Sequence, residues 1–224
     1  MKKPTQITSD IFLIGGSTES APNDAAIYLI KDGRSSAIVD AGTGDGTKTV
    51  LENINLCGLE LSDIKYIFVT HCHFDHTGGL NSLRKATAAQ VVMHKDDAIF
   101  VSSGDMNVTA AKWYNRRLDP THIDITVNEK KKDFTLDKLN VTMHHTPGHS
   151  PGSVVFTVNS DEQLVLFGQD VHGPIDEITL RSNRLEYARS LEFMLSLNAD
   201  ILCEGHYGVF YGKDKIRKFI KSFL

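Results

Sequence analysis

The segment that most constrains this chain is a cluster of four ligand-type side chains directly after an apolar run. The run Ile64–Val69 has the composition of a buried strand, and His71, His73, Asp75 and His76 follow it within six residues. In an extended backbone His71 and His73 point to the same side, and the other two can turn inward from a first helical turn. A polar loop without a metal is the alternative, but packing alone has no use for three histidines. The cluster predicts a metal site at the end of a strand.

Three later segments share this arrangement, in which an apolar strand ends in a potential ligand. Two prolines and two glycines in the stretch 147–152 fix the turn that presents the first of these ligands. Taken singly, the His or Asp at the end of such a strand would more often be a capping or hydrogen-bonded residue. Taken together with the first cluster, the three residues are predicted to be metal ligands. The three additional candidates are His149, Asp170 and His206.

Length and charge limit the class of protein. A chain of 224 residues suits one substantial core, so we predict a single domain over residues 1–224. The formal net charge of -4 argues against nucleic acid or an anionic membrane as partner and favours a small-molecule substrate. Three cysteines form no disulfide framework, and no apolar run is long enough to span a membrane, so we expect a cytoplasmic protein; the oligomeric state stays open.

Periodicity predicts short strands interleaved with helices, which is typical of an α/β protein. The predicted strands are 26–30, 36–39, 64–70, 90–93, 140–144, 153–158, 163–167 and 199–203. The predicted helices are 46–56, one from the capping box of Asn183 and Glu186 to about Leu197, and one from about Gly212. The irregular stretch 96–126, with its Trp113-Tyr114 pair, is predicted to form a surface subelement or lid.

The four segments that carry the candidate ligands, together with Val-Asp-Ala-Gly at 39–42, resemble the motifs of the metallo-β-lactamase superfamily. The resemblance extends from about Val39 to His206. The resemblance implies an αββα sandwich of two mixed β-sheets flanked by helices, with the metals at one edge. It assigns one metal to His71, His73 and His149, the other to Asp75, His76 and His206, and the bridge to Asp170.

The glyoxalase II and lactonase branches are the most similar, which implies a dinuclear hydrolase of a small ester, thioester or lactone. Two cations about 3.5–4 Å apart would polarise the carbonyl and supply a bridging hydroxide. Zinc is the first choice, with iron or manganese as alternatives. We expect Asp75 to orient the nucleophile or accept its proton. His172 is the candidate that donates a proton to the leaving group, and a supporting role outside the ligand set or at the surface is the alternative. Asp40 is expected to hydrogen-bond a ligand imidazole or to tie the motif loop, and an ordinary loop cap after the strand is the alternative.

Two other classes of function stay open. The persulfide dioxygenase branch has a similar motif set and holds a single iron. A binding or sensor protein that keeps the metal fold without turnover is the third possibility, because a fold does not specify an activity.

Overall fold

A computed structural model describes residues 3–168 and 170–224 of the protein. Its strands are β1 (Thr5–Gln6), β2 (Ile11–Gly15), β3 (Ile27–Ile30), β4 (Ser36–Val39), β5 (Ile64–Phe68), β6 (Gln90–His94), β7 (Ile125–Val127), β8 (Lys131–Thr135), β9 (Asn140–His145), β10 (Val154–Ser160), β11 (Gln163–Phe167), β12 (Ile201–Cys203) and β13 (Val209–Tyr211). Its α-helices are α1 (Thr47–Leu56), α2 (Phe74–Thr77), α3 (Leu80–Thr87), α4 (Lys95–Ser103), α5 (Arg184–Ser196) and α6 (Lys213–Lys221).

The strands form two mixed sheets. The first has seven strands in the order β1 to β7, antiparallel from β1 to β4 and parallel from β4 to β7. The second has six strands in the order β13-β12-β11-β10-β9-β8, and β11 and β12 are its parallel pair. In both sheets the parallel strands end at the same edge, so the loops that follow them are brought together there.

Three apolar layers hold the sheets and helices together. Between the sheets, Phe68 on β5 lies 5.1 Å from Phe134 on β8 and 5.0 Å from Phe156 on β10, measured between ring centroids. The outer face of the first sheet packs against α1, α3 and α4, and that of the second against α5 and α6. The predicted αββα sandwich is therefore confirmed.

Local sequence explains several of these elements. β3 and β4 are buried along their whole length, as expected of short, mostly apolar runs covered on both faces. The Asn183 side chain accepts a hydrogen bond of 3.0 Å from the Glu186 N–H and so starts α5 where the cap predicted a helix.

The sequence did not predict β1, β2, β7, β8 or β13. Of these, β1, β7, β8 and β13 lie at the edges of the sheets, where one-sided pairing leaves little apolar pattern. The stretch 96–126 contains most of α4, a 3-10 turn at Ala111–Tyr114 and the start of β7. Within the described residues, no helix combines the length and the apolar character needed to cross a membrane.

Candidate metal centre

The predicted ligands meet at one edge of the sandwich, where four strands end. His71 and His73 follow β5, and α2 carries Asp75 and His76. The other three follow β9, β11 and β12, respectively: His149, Asp170 and His206. Apart from His206, which is exposed, these residues are buried.

Four of these residues form a first group whose ligand atoms face one another. The Nε2 atom of His71 lies 3.1 Å from Nδ1 of His73 and 3.2 Å from Nε2 of His149. Asp170 completes the group, because its Oδ2 atom lies 3.5 Å from Nε2 of His149. Four buried N and O donors at this spacing could hold a metal ion.

A second group forms on the other side of Asp170. Its Oδ1 atom lies 3.2 Å from Nε2 of His76 and 3.3 Å from Nε2 of His206. Asp75 completes this group through Oδ2, which lies 3.2 Å from Nε2 of His206. Asp75, His76 and His206 could hold a second ion, and each oxygen of Asp170 faces one group.

Contacts outside the groups fix the orientation of three imidazoles. The Nδ1 atoms of His71, His76 and His149 pair with the Thr70 hydroxyl at 3.1 Å, with Asp40 at 2.7 Å and with the Pro174 carbonyl at 2.9 Å, respectively. A proton held on Nδ1 leaves Nε2 as an acceptor that faces the centre. The contact expected between Asp40 and a candidate ligand is present.

Several buried polar atoms at the centre have no hydrogen-bond partner. They include Nε2 of His76 and Oδ1 of Asp170, which lie 3.2 Å apart without hydrogen-bond alignment. An unpaired buried acceptor is costly, and so are two imidazole acceptors turned towards each other. Cations would satisfy these atoms, so the residues present fit the metals expected of such a site.

The electrostatics of the two groups differ. Burial lowers the pKa of His71 well below its ordinary range and that of His73 to about 3, so both rings are neutral at pH 7. Burial also acts to lower the pKa of His206, but the neighbouring carboxylates of Asp170 and Asp75 outweigh it and raise that pKa to about 10. The carboxylates therefore favour positive charge at the second group.

Two buried carboxylates that sequence reasoning did not single out tie the loops of the centre together. The first is Asp97 on α4, which accepts hydrogen bonds from the Cys72 N–H at 2.8 Å, the Ser150 hydroxyl at 2.5 Å and the Gly152 N–H at 2.7 Å. Asp97 thus joins the loop of His71 and His73 to the loop of His149. Nothing in its local sequence distinguishes it from an ordinary acidic residue in a first helical turn.

The second is Glu204, which is fully buried. Its Oε1 atom accepts from the Val171 N–H at 3.1 Å and pairs with Nδ1 of His172 at 2.9 Å. Its Oε2 atom accepts from the N–H groups of His206 and Tyr207 at 2.6 and 2.7 Å. Glu204 therefore holds the loops of Asp170 and His206 in register. Its place two residues before a candidate ligand is the one signal that the sequence offered.

A cavity of about 150 Å³ opens onto both groups. Its lining is His73, Asp75, Ala110, Trp113, Tyr114, Asp170, His172, Pro174 and His206. The Trp113-Tyr114 pair thus forms part of its wall, as the prediction of a lid element suggested. Burial and the nearby Asp75 carboxylate raise the pKa of Tyr114, which keeps its hydroxyl protonated. His172 reaches the cavity, where a proton donor would be needed.

Comparison with known proteins agrees with this architecture. The sequence model of the metallo-beta-lactamase superfamily matches residues 21–206, which is most of the chain. The chain belongs to the metallo-β-lactamase superfamily. Metal-dependent hydrolysis is thereby supported at the level of the family.

Individual relatives of this superfamily member are distant. It is 28% identical to the Beta-lactamase-like protein 2 homolog of Drosophila melanogaster, over 92% of this chain and 66% of the fly protein. It is 25% identical to the Acyl-coenzyme A thioesterase MBLAC2 of Gallus gallus, over 96% of this chain and 84% of that protein. The metallo-beta-lactamase GOB-18 from Elizabethkingia meningoseptica has the same fold, with a TM-score of 0.83 at 23% identity over 99% of this chain and 89% of that one.

Proposed function

We propose that this protein is a dinuclear metal-dependent hydrolase of a small thioester, ester or lactone. The observation that carries the proposal is the position of Asp170 between two groups of candidate ligands. Its Oδ2 atom lies 3.5 Å from Nε2 of His149, whereas its Oδ1 atom lies 3.2 Å from Nε2 of His76. A single closed metal site needs about four ligands, and the two groups together offer seven residues.

The donor set decides which metals fit. His71, His73 and His149 would hold one ion and Asp75, His76 and His206 the other, with Asp170 between them. Imidazole and carboxylate donors without thiolate suit zinc first, and iron or manganese next. When bound, two such ions supply Lewis acidity and lower the pKa of water towards neutrality.

Two residues of the chain are proposed to move protons. Burial acts to raise the pKa of Asp75, but His76 and His206 together outweigh it and lower the pKa, so Asp75 is an ionised acceptor at neutral pH. His172 keeps its Nδ1 against the buried Glu204 carboxylate at 2.9 Å, which leaves Nε2 as the nitrogen free to exchange a proton with a leaving group.

The cavity indicates the size of the group next to the metals. A volume of about 150 Å³ suits a short acyl group, and Ala110, Trp113 and Pro174 give one wall an apolar surface. Among the three carbonyl classes we place the thioester first, because a relative at 25% identity is named an acyl-coenzyme A thioesterase.

The test combines metal analysis with turnover. Protein purified without added metal and then exposed to excess zinc, iron or manganese should hold two ions per chain. The loaded protein should hydrolyse members of a panel of short acyl thioesters, esters and lactones. Asp170→Asn removes the negative charge that both groups share, so the affinity for one ion should fall more than about 100-fold. Loss of a residue outside the ligand set usually lowers metal affinity by less than this.

The matched control is His122→Asn, which changes an exposed histidine whose ion pair is with Asp124, away from the centre. It should keep two ions and normal turnover. One tightly bound iron with oxygen uptake in the presence of a persulfide would favour the dioxygenase alternative instead. Binding of carbonyl compounds without any turnover would favour the sensor alternative.

A further inference from the structure

A chain of aromatic rings leads from the metal centre to the C-terminal helix. The ring of His172, at the cavity, lies 5.0 Å from that of Tyr207, and Tyr207 lies 5.6 Å from Phe219 on α6. Phe219 in turn stacks on Phe210 of β13 at 4.2 Å. Tyr207 is 60% exposed although it lies beside the centre, and Phe210 and Phe219 are half-buried, so these rings are partly open to solvent.

Cations flank the far end of these rings. Lys215 and Lys218 line a cavity of about 380 Å³ together with Phe210, Phe219 and Ser222. Neither lysine makes an ion pair within the described part of the chain, whereas Lys213 on the same helix pairs with Asp200 at 3.3 Å. We call Tyr207, Phe210, Lys215, Lys218, Phe219 and Ser222 the α6 surface.

The charge of α6 contrasts with that of the whole protein. The helix carries four lysines and one arginine against one aspartate, in a chain whose formal net charge is -4. Unpaired ammonium groups beside half-exposed rings match a ligand that is both planar and anionic, because rings stack on planar groups and ammonium groups bind phosphate oxygens. A nucleoside phosphate combines these two properties.

We propose that the α6 surface binds a nucleoside-phosphate portion of the leaving group, so that the substrate is a thioester carried on a nucleotide, as in coenzyme A. This inference rests on the proposed function and adds the location of carrier recognition. The acyl group would lie in the cavity at the metals, the linker would pass Tyr207, and the phosphates would meet Lys215 and Lys218. A basic helix with exposed rings could also contact an anionic membrane, and the experiment separates the two.

The experiment compares two substrates that share the reacting group. Hexanoyl-CoA and the hexanoyl thioester of N-acetylcysteamine differ in the nucleotide portion, so their ratio of kcat/KM reports its recognition. We expect Lys215→Glu/Lys218→Glu to raise KM for hexanoyl-CoA roughly tenfold or more, the cost typical of losing charge-assisted contacts, with kcat changed less. The ratio should fall towards one, and added salt should lower it in the unaltered protein as well.

The matched control is Lys131→Glu/Lys132→Glu on β8. It makes the same change of net charge on exposed residues of β8, which lies at the edge of the second sheet opposite to β13. It should keep the kcat/KM ratio of the unaltered protein. A second measurement uses adenosine 3′,5′-bisphosphate, whose binding by calorimetry needs no turnover. It should bind the unaltered protein and bind Lys215→Glu/Lys218→Glu at least tenfold more weakly.

These outcomes separate the two proposals. If no thioester is hydrolysed but the bisphosphate binds through the two lysines, the proposed hydrolysis fails and the α6 surface stands as a nucleotide site. Equal bisphosphate binding by both proteins, or an unchanged substrate ratio, overturns the inference. The inference is also overturned if the lysines control only binding to vesicles that contain phosphatidylserine.

Discussion

Asp40 offers the sharpest test of how residues outside the ligand set maintain the centre. Its Oδ2 atom pairs with Nδ1 of His76 at 2.7 Å, and its two oxygens accept from the N–H and the hydroxyl of Thr70, both at 2.8 Å. The residue has a φ of 63°, a left-handed conformation that asparagine also adopts readily. Asp40→Asn therefore keeps size and backbone and changes the charge and the hydrogen bonding.

The size of the effect follows from the tautomer of His76. The amide nitrogen of Asp40→Asn is a donor, so it cannot accept from Nδ1–H and pushes the proton of His76 towards Nε2. That nitrogen faces Oδ1 of Asp170 at 3.2 Å and is the proposed metal donor. Loss of such an orienting contact weakens metal binding about 10- to 100-fold. This corresponds to roughly 1.4–2.8 kcal/mol.

The assay is a competition titration of metal-depleted protein against a chromophoric zinc chelator, which resolves the first and second equivalents of zinc. Only one of the two equivalents, the one held by the group of His76, should shift in Asp40→Asn. The control is Asp24→Asn, because Asp24 is also buried and accepts from the N–H and the hydroxyl of a threonine, Thr43, but contacts no histidine. The reasoning is refuted if both equivalents of Asp40→Asn bind as in the unaltered protein, or if Asp24→Asn shows the same loss.

Two further predictions concern Glu204 and His94. In the unaltered protein, the Glu204 carboxylate accepts from backbone N–H groups, whereas Glu204→Gln would point an amide donor at one of them. The affinity for the zinc ion held near His206 should therefore fall about tenfold in the same titration. Glu186→Gln, an exposed change on α5, should have no effect, and equal affinities in all three proteins would contradict the proposed positioning. Burial lowers the pKa of His94 from 6.5 to about 4, so between these values the unfolded chain binds a proton that the folded protein excludes. The contribution of His94 to the free energy of unfolding is therefore present above pH 6.5 and lost as the pH falls towards 4. Urea titrations of the metal-loaded proteins should show that the free energy of unfolding falls less steeply with decreasing pH in His94→Gln than in the unaltered protein or in the exposed-site control His122→Gln. Identical pH dependences would refute the lowered pKa of His94.

The sequence by itself determined the segments of the centre and the class of fold. Ligand-type residues directly after apolar runs are a local pattern, so the loops after β5, β9, β11 and β12 could be recognised without knowing what lies beside them. Two predicted strands, Ser36–Val39 and Gln163–Phe167, have the observed bounds, because each is a short apolar run with clear turn residues on both sides. The hydrogen bond of Asp40 was also foreseen, since it follows a strand within a recognised motif.

Only the tertiary structure decided how these segments face one another. Asp97 and Ser150 are 53 residues apart, and Glu204 reaches back 33 residues to Val171, so neither clamp leaves a signature in the local periodicity. The opposite directions of the two oxygens of Asp170 depend on loops from both sheets, and the α6 surface exists because α6 packs beside the loop of Tyr207. Sequence patterns record which face of a segment is apolar and where it turns. The partners that a side chain meets across the sandwich are fixed by sheet order and packing, and therefore by the whole chain at once.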